Sequence, residues 1–258
     1  LNGKNSNTSV DDIANNWKNK MSKVCIVTGA SRGLGRGIAK VLAEERSATV
    51  YATARSETAL NDLASSLKSN TGIIHPIVLD QSDDSAVKKF ITTVAEKEGR
   101  IDLLVNSAYG GLTAMTPHFG KPFWERPISV FDASIDIGLR SAFVSSAIVA
   151  PHMVSQKSGL IVQVSSFGGH SYLFDVGYGV GKAGLDRLSA DMATELNEHG
   201  VKSLTLYPGG AVTEIARFPG GETPTFTGRS VAALLYDTPE DDLANLNVNL
   251  VLTMEIAI

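Results

Sequence analysis

Short runs of β-branched and aliphatic residues alternate along this chain with longer stretches in which apolar residues recur every three or four positions. The runs are KVCIVT (23–28), ATVYAT (48–53), GIIHPIVLD (72–80), IDLLVN (101–106), GLIVQVSS (159–166), VKSLTLYP (201–208) and VNLVLTM (248–254). Each reads as a strand. The amphipathic stretches between them, over 35–45, 57–68, 83–98, 129–153, 178–199 and 228–237, read as helices. Strands that alternate with helices make βαβ units and a parallel sheet. The expectation is therefore an α/β, doubly wound parallel sheet of six to seven strands with helices on both faces. Gly159 and Gly200 precede the fifth and sixth strands and are expected to close the helices before them. With no repeat, low-complexity tract or linker in between, residues 21–258 read as one domain behind a polar N-terminal extension over 1–20. Two irregular segments, 109–127 and 209–227, are long for a compact domain, and such loops carry function more often than not.

Composition narrows the class without naming it. The 258 residues are 43% apolar and 19% charged, an ordinary globular mix. The net charge of −4, with no basic stripe to offset it, argues against a nucleic-acid partner. A single cysteine, Cys25, excludes an intrachain disulfide, and its place in an apolar run makes it a small buried hydrophobe. No uninterrupted apolar stretch is long enough to span a bilayer. The first twenty residues lack the apolar core of a secretory signal, so the expected setting is cytoplasmic. No cluster of His, Cys and Asp has metal-ligand spacing, and no catalytic metal is expected.

The stretch TGASRGLG (28–35) carries the first chemistry. It ends the first strand and opens the first helix. Glycines there permit a tight turn and bring backbone N–H groups up to a pyrophosphate, to which the helix N-terminus adds partial positive charge. No G-K-[ST] ending follows, which disfavours a P-loop nucleotidase. An acid at the end of the second strand would bind the 2′-hydroxyl of NAD. Here Ala54 stands in that place, followed by Arg55, while Arg32 sits in the glycine loop. Two guanidinium groups suit a 2′-phosphate, which favours NADP(H), with NAD(H) as the alternative cofactor.

Tyr178 and Lys182, in GYGVGKAG, stand four residues apart on one helical face. A free tyrosine titrates near 10, and a neighbouring ammonium favours its phenolate. The pair is thus expected to act as donor and acceptor of a proton for a carbonyl/alcohol couple. Just upstream, Ser165 and Ser166 end the fifth strand at the sheet edge where such a cofactor sits.

Taken with VLD (Asp80), LLVNSAY, VSS, YGVGK and YPGGAVT in order, the chain resembles the short-chain dehydrogenases/reductases, on a Rossmann-type sheet, from Lys23 to about Pro239. The resemblance implies Tyr178 as general acid in reduction, and Lys182 as the group that lowers its pKa and binds the nicotinamide ribose. It implies Ser166 as hydrogen-bond donor to the substrate oxygen, with Ser165 as runner-up. It places Gly29, Ser31, Arg32, Gly33, Leu34, Gly35, Arg55, Asp80, Asn106, Tyr178, Lys182, Pro208, Gly209 and Thr213 around the dinucleotide. Phe123, Trp124, Tyr172, Phe174 and Phe218 are expected to ring the nicotinamide end and to suit a hydrophobic ketone or aldehyde, of steroid or lipid type among the candidates. A homodimer or homotetramer is implied as well. The rival readings are a dinucleotide-binding or sensing protein without catalysis, and a membrane-peripheral enzyme that docks on a bilayer through the aromatic loop 109–127. Two departures from the family pattern stand out. Tyr109 replaces the glycine of N-N-A-G, and Gly138 stands where many members carry a relay asparagine, so that a relay would need water or another group such as Asp136. The segment after Thr213 is also short for a lid.

Overall fold

The strand-and-helix alternation of the sequence is the architecture of the computed structural model, which describes residues 22–68, 72–214, 218–239, 242–243 and 250–252. The extension expected over 1–20 lies outside the described residues, as do 215–217 of the segment after Thr213. The strands are β1 (Val24–Thr28), β2 (Thr49–Ala54), β3 (Ile73–Val78), β4 (Leu103–Asn106), β5 (Gly159–Val164), β6 (Val201–Tyr207) and β7 (Leu250–Leu252). Between them run α1 (Gly33–Arg46), α2 (Glu57–Ser65), α3 (Asp84–Glu98), α4 (Ile128–Gln156), α5 (Val176–Leu196) and α6 (Pro224–Tyr236). All strand pairs are parallel, in the order β3-β2-β1-β4-β5-β6-β7. The order reverses between β1 and β4, and the carboxyl ends at such a switch point diverge into a crevice.

The central strands are buried on both faces, which is why they read as unbroken apolar runs. Within β1, Cys25 and Val27 face a core shared with Leu42 of α1 and Val231 of α6. Val24 and Ile26 face the opposite core, with Ile91 of α3 and Met153 of α4. The Cys25 thiol is fully buried, and burial drives its pKa far up, so it is an inert packing group.

One of the two helix exits marked by glycine differs from expectation. Gly200 does adopt the left-handed conformation, at φ +71°. Gly159 does not; Lys157 takes that role at φ +55°, and Gly159 instead lies where a Cβ would meet Met153 Cγ at 2.5 Å. Helix α4 contains a π-helical stretch, Ile135–Arg140. By length and composition alone α4 is long and apolar enough to cross a membrane, which the sequence reading did not expect. Here its Val149 and Met153 are fully buried in the core beneath the sheet.

Candidate active site

The crevice at the switch point is a cavity of about 830 Å³ along the carboxyl ends of the strands. Its wall contains Gly29, Ser31, Arg32, Gly33, Leu34 and Gly35 from the glycine loop, Arg55 and Asp80 from the ends of β2 and β3, and Pro208, Gly209 and Thr213 after β6. The three loop glycines have separate causes. Gly29 has φ +68°, and a Cβ on it would lie 2.7 Å from Ala108 Cα. Gly33 has φ +58° at the start of α1. A Cβ on Gly35 would lie 2.5 Å from the Gly29 carbonyl oxygen. The turn beside them is tied down by Thr28 Oγ1, which accepts from the N–H groups of Ser107 and Ala108, both at 3.1 Å.

This cradle fits an anion. The Gly33 N–H donates to Glu214 Oε2 at 2.9 Å, so the first turn of α1 already holds a carboxylate. Arg32 and Arg55 are both exposed on the cavity wall, and Arg32 donates to Thr113 Oγ1 at 3.0 Å. The Asp80 carboxyl is held below its ordinary range by hydrogen bonds from the backbone and side chain of Ser82, with a smaller contribution from the charge of Arg55.

At the other end, α5 begins at Asp175, whose Oδ1 accepts from the Tyr178 N–H at 2.7 Å. Asp175 is buried and paired with Arg126 at 2.7 Å, so one ion pair fixes both the helix start and the backbone of Tyr178. Neither partner was singled out from the sequence. Glycines clear the face of α5 that meets α4: a Cβ on Gly177 would approach Phe131 Cα at 3.3 Å, and one on Gly184 would approach Leu139 Cδ2 at 2.6 Å. The Gly-rich text around Tyr178 is thus a helix-packing stripe as much as a motif.

Tyr178 and Lys182 are both buried and both line the cavity, as do Ser165 and Ser166. Ser166 Oγ accepts from the Gly168 N–H at 3.1 Å. Ser165 turns away and donates to the Lys182 carbonyl at 3.2 Å. Lys182 Nζ donates to the Val164 carbonyl at 2.8 Å, and burial lowers its pKa to about 8. One expectation is corrected here. The Tyr178 phenol is raised, not lowered: burial dominates, and the side chain that pulls it down is Ser166 rather than Lys182. Lys182 still carries its charge below about 8, but burial of the phenol is the larger influence on Tyr178. The arrangement keeps a proton on Tyr178.

Several expected residues lie elsewhere. Asn106 is behind the wall, its amide donating to Ser146 Oγ at 3.0 Å, and it does not line the cavity. Phe123, Trp124 and Tyr172 are exposed and also absent from the wall; the first two pack edge-on against each other at 5.3 Å. Asp136 is exposed on the π-helical stretch and does not reach the cavity, which Ile137 lines instead. Phe174 and Phe218 do line it, joined by Leu173, Phe167 and Tyr207. Phe174 holds φ +66°, a strained conformation for a bulky residue, and sets its ring edge-on to Tyr178 at 4.9 Å. Beneath Lys182, the Tyr207 hydroxyl donates to Asp186, whose carboxyl is raised mainly by burial.

Comparison with known proteins agrees with this geometry. Residues 23–219 match the short chain dehydrogenase family. The chain is 42% identical over 236 residues to dehydrogenase/reductase SDR family member 1 of Mus musculus, covering 83% of this chain and 75% of that protein. It is 30% identical over 190 residues to a 7α-hydroxysteroid dehydrogenase of Clostridium sardiniense, covering 72% and 70% respectively. Among solved structures, a metagenomic short-chain oxidoreductase in complex with NADP superposes with a TM-score of 0.74 at 29% identity, over 89% of this chain and 96% of that one.

Proposed function

Because the chain belongs to the short-chain dehydrogenase family, we propose that it is an NADP(H)-dependent oxidoreductase that interconverts a hydrophobic ketone or aldehyde and its alcohol. The observation that carries this reading is the convergence of Tyr178, Lys182 and Ser166 on one end of a cavity whose other end is the glycine cradle. Bound nicotinamide supplies or accepts the hydride. The protein's own residues do the rest. The first turn of α1 would hold the pyrophosphate in place of the Glu214 carboxylate. Arg32 and Arg55 would face a 2′-phosphate, which favours NADP(H), and a solved relative holds NADP. Ser166 would donate to the carbonyl oxygen, and Tyr178, kept protonated by burial, would deliver its proton there as charge develops. Leu173, Phe174 and Phe218 would exclude water and receive an apolar substrate body. The steroid activity named for the Clostridium relative supports a polycyclic or lipid-like compound as the first class to assay.

The test is a pair of measurements. Fluorescence titration should show NADPH binding more tightly than NADH, with the preference reduced in Arg55→Ala. Tyr178→Phe should lose carbonyl reduction by several orders of magnitude while its NADPH affinity stays within about threefold, since general acid catalysis alone contributes about 10²–10⁴. Cofactor binding by the unaltered chain with no turnover over a broad carbonyl panel would replace the enzyme with a dinucleotide sensor.

A further inference from the structure

The cationic end of Lys182 has an unusual neighbour. Its Nζ lies 4.9 Å from the ring centroid of Tyr109 and 5.7 Å from that of Tyr178. One ammonium proton is taken by the Val164 carbonyl, and no carboxylate forms an ion pair with Lys182 among the described residues. Aromatic faces therefore supply much of what stabilises a charge there. The Tyr109 ring is seated by a vacancy in α4. A Cβ on Gly138 would stand 2.8 Å from Tyr109 Cδ2 and 3.0 Å from Cε2, so any other residue at 138 would push the ring away. The Tyr109 hydroxyl is anchored on the buried Ser134 Oγ at 3.0 Å, and the ring meets that of Tyr178 edge-on at 5.6 Å and 88°. Burial raises the Tyr109 phenol far above its ordinary value, so it contributes a neutral, electron-rich face and no proton.

We propose that Tyr109 is a positioning residue for Lys182, and that Tyr109 and Gly138 form one unit in which the glycine opens the slot and the ring fills it to hold the lysine ammonium. This rests on the reading of Tyr178 and Lys182 as the proton-handling pair. The other groups facing Lys182 are accounted for. Asp186, one turn along α5, favours the ammonium from a distance and is already engaged by Tyr207 and approached by His170 at 4.0 Å. Ser165 faces Lys182 through the lysine's backbone carbonyl and not its amine. The proposal accounts for both departures from the family pattern together: a tyrosine where the loop carries glycine, and a glycine where the helix carries a side chain.

The experiment measures the protonation of Lys182 directly. Acetylation by acetic anhydride at a series of pH values, with the Lys182 peptide quantified by mass spectrometry, gives its titration midpoint in the cofactor-free protein. Tyr109→Phe keeps the ring and should leave the midpoint unchanged. Tyr109→Leu and Gly138→Ala should each lower it by about one pH unit, the scale of a desolvated cation–ring contact. In the Tyr109→Leu background, Gly138→Ala should add no further shift, because there is no ring left to displace. In turnover assays the alkaline limb of kcat/KM should move by the same amount. A midpoint in Tyr109→Leu equal to or above that of the unaltered chain overturns the proposal, as does a Tyr109→Phe shift as large as that of Tyr109→Leu. If Tyr109→Leu fails to fold, Gly138→Ala decides alone. Acetylation needs no turnover, so a chain that proved unable to reduce carbonyls would sink the functional reading and leave this measurement standing.

Discussion

Lys182 is the residue at which the proposed function opposes stability. Its buried amine titrates at about 8 instead of 10.5, so the unfolded chain binds more protons than the folded one between those values. The sign is that of a depressed base: the fold gains stability as pH rises from about 8 to 10.5, and carries the cost of a buried ammonium below that window. Lys182→Met removes the charge but leaves the Val164 carbonyl without its donor. We expect Lys182→Met to be more stable than the unaltered chain by about 1–2 kcal/mol at pH 7, with the gap closed near pH 10. Chemical denaturation at both pH values tests this; a gap that stays constant with pH would mean Lys182 is not the group responsible. That Tyr178, Lys182 and Ser166 share one cavity wall was legible because the motif sets rare residue types at fixed spacing. The contacts of Tyr109 and Arg126 were not, because their partners lie between 25 and 73 positions away in sequence, as in Tyr109–Ser134, Tyr109–Lys182 and Arg126–Asp175, while the cap from Asp175 to Tyr178 is a local signal that went unread. Phe123, Trp124 and Tyr172 were misplaced for the complementary reason: aromatic character marks a loop without saying which way its side chains turn.

Strand number, order of elements and helix positions followed from the alternation of buried runs with amphipathic stretches, whereas helix ends did not. α1 and α4 end on left-handed Ser47 and Lys157, which carry no sequence signature, while Gly99, at φ +69°, closes α3 in the usual way. The short helix Gly111–Met115 and the π-helical stretch of α4 lie where sequence showed only an irregular loop and a regular helix. Glycines within helices prove to be contact points. A Cβ on Gly37 of α1 would lie 2.3 Å from the Pro224 carbonyl oxygen of α6, and one on Gly228 of α6 would lie 2.8 Å from the Gly37 carbonyl oxygen. These two helices share the core on one face of the sheet, with Leu42 of α1 and Val231 of α6 in it. Gly37→Ala should cost about 3 kcal/mol or more by overpacking, although alanine is the better helix former. Gly99→Ala meets nothing within 4 Å and should cost about 1 kcal/mol from backbone conformation alone. Urea denaturation of the two variants ranks them, and the reverse order would mean α1 and α6 separate at little cost.

At the scale of the whole molecule, the sheet order brings the glycine loop, Ser166, Tyr178 and Lys182 to the carboxyl ends of the strands, and α4 and α5 have an outer side still to be explained. Phe131 and Phe143 of α4 and Val176 and Val180 of α5 are all exposed. The two helices are in contact where Gly177 meets the Phe131 backbone, and Val176 and Val180 are a turn apart on α5. Apolar side chains on adjoining helices carry a hydrophobic gain of about 25 cal/mol per Å² that only a covering surface can realise. A second copy of the chain, packing these helices against their symmetry mates, would bury them without any other partner, because a two-fold interface matches a patch to itself. Sedimentation velocity at micromolar concentration should therefore show a dimer or tetramer, and Val180→Glu with Phe143→Glu should shift it toward monomer. Such a shift should also weaken cofactor binding, since the slot for Tyr109 and the Asp175 cap of Tyr178 both depend on how α4 and α5 seat against each other. A monomer in the unaltered chain would leave this face to some other partner, and a monomeric double variant with full cofactor affinity would show that the site is complete within one subunit.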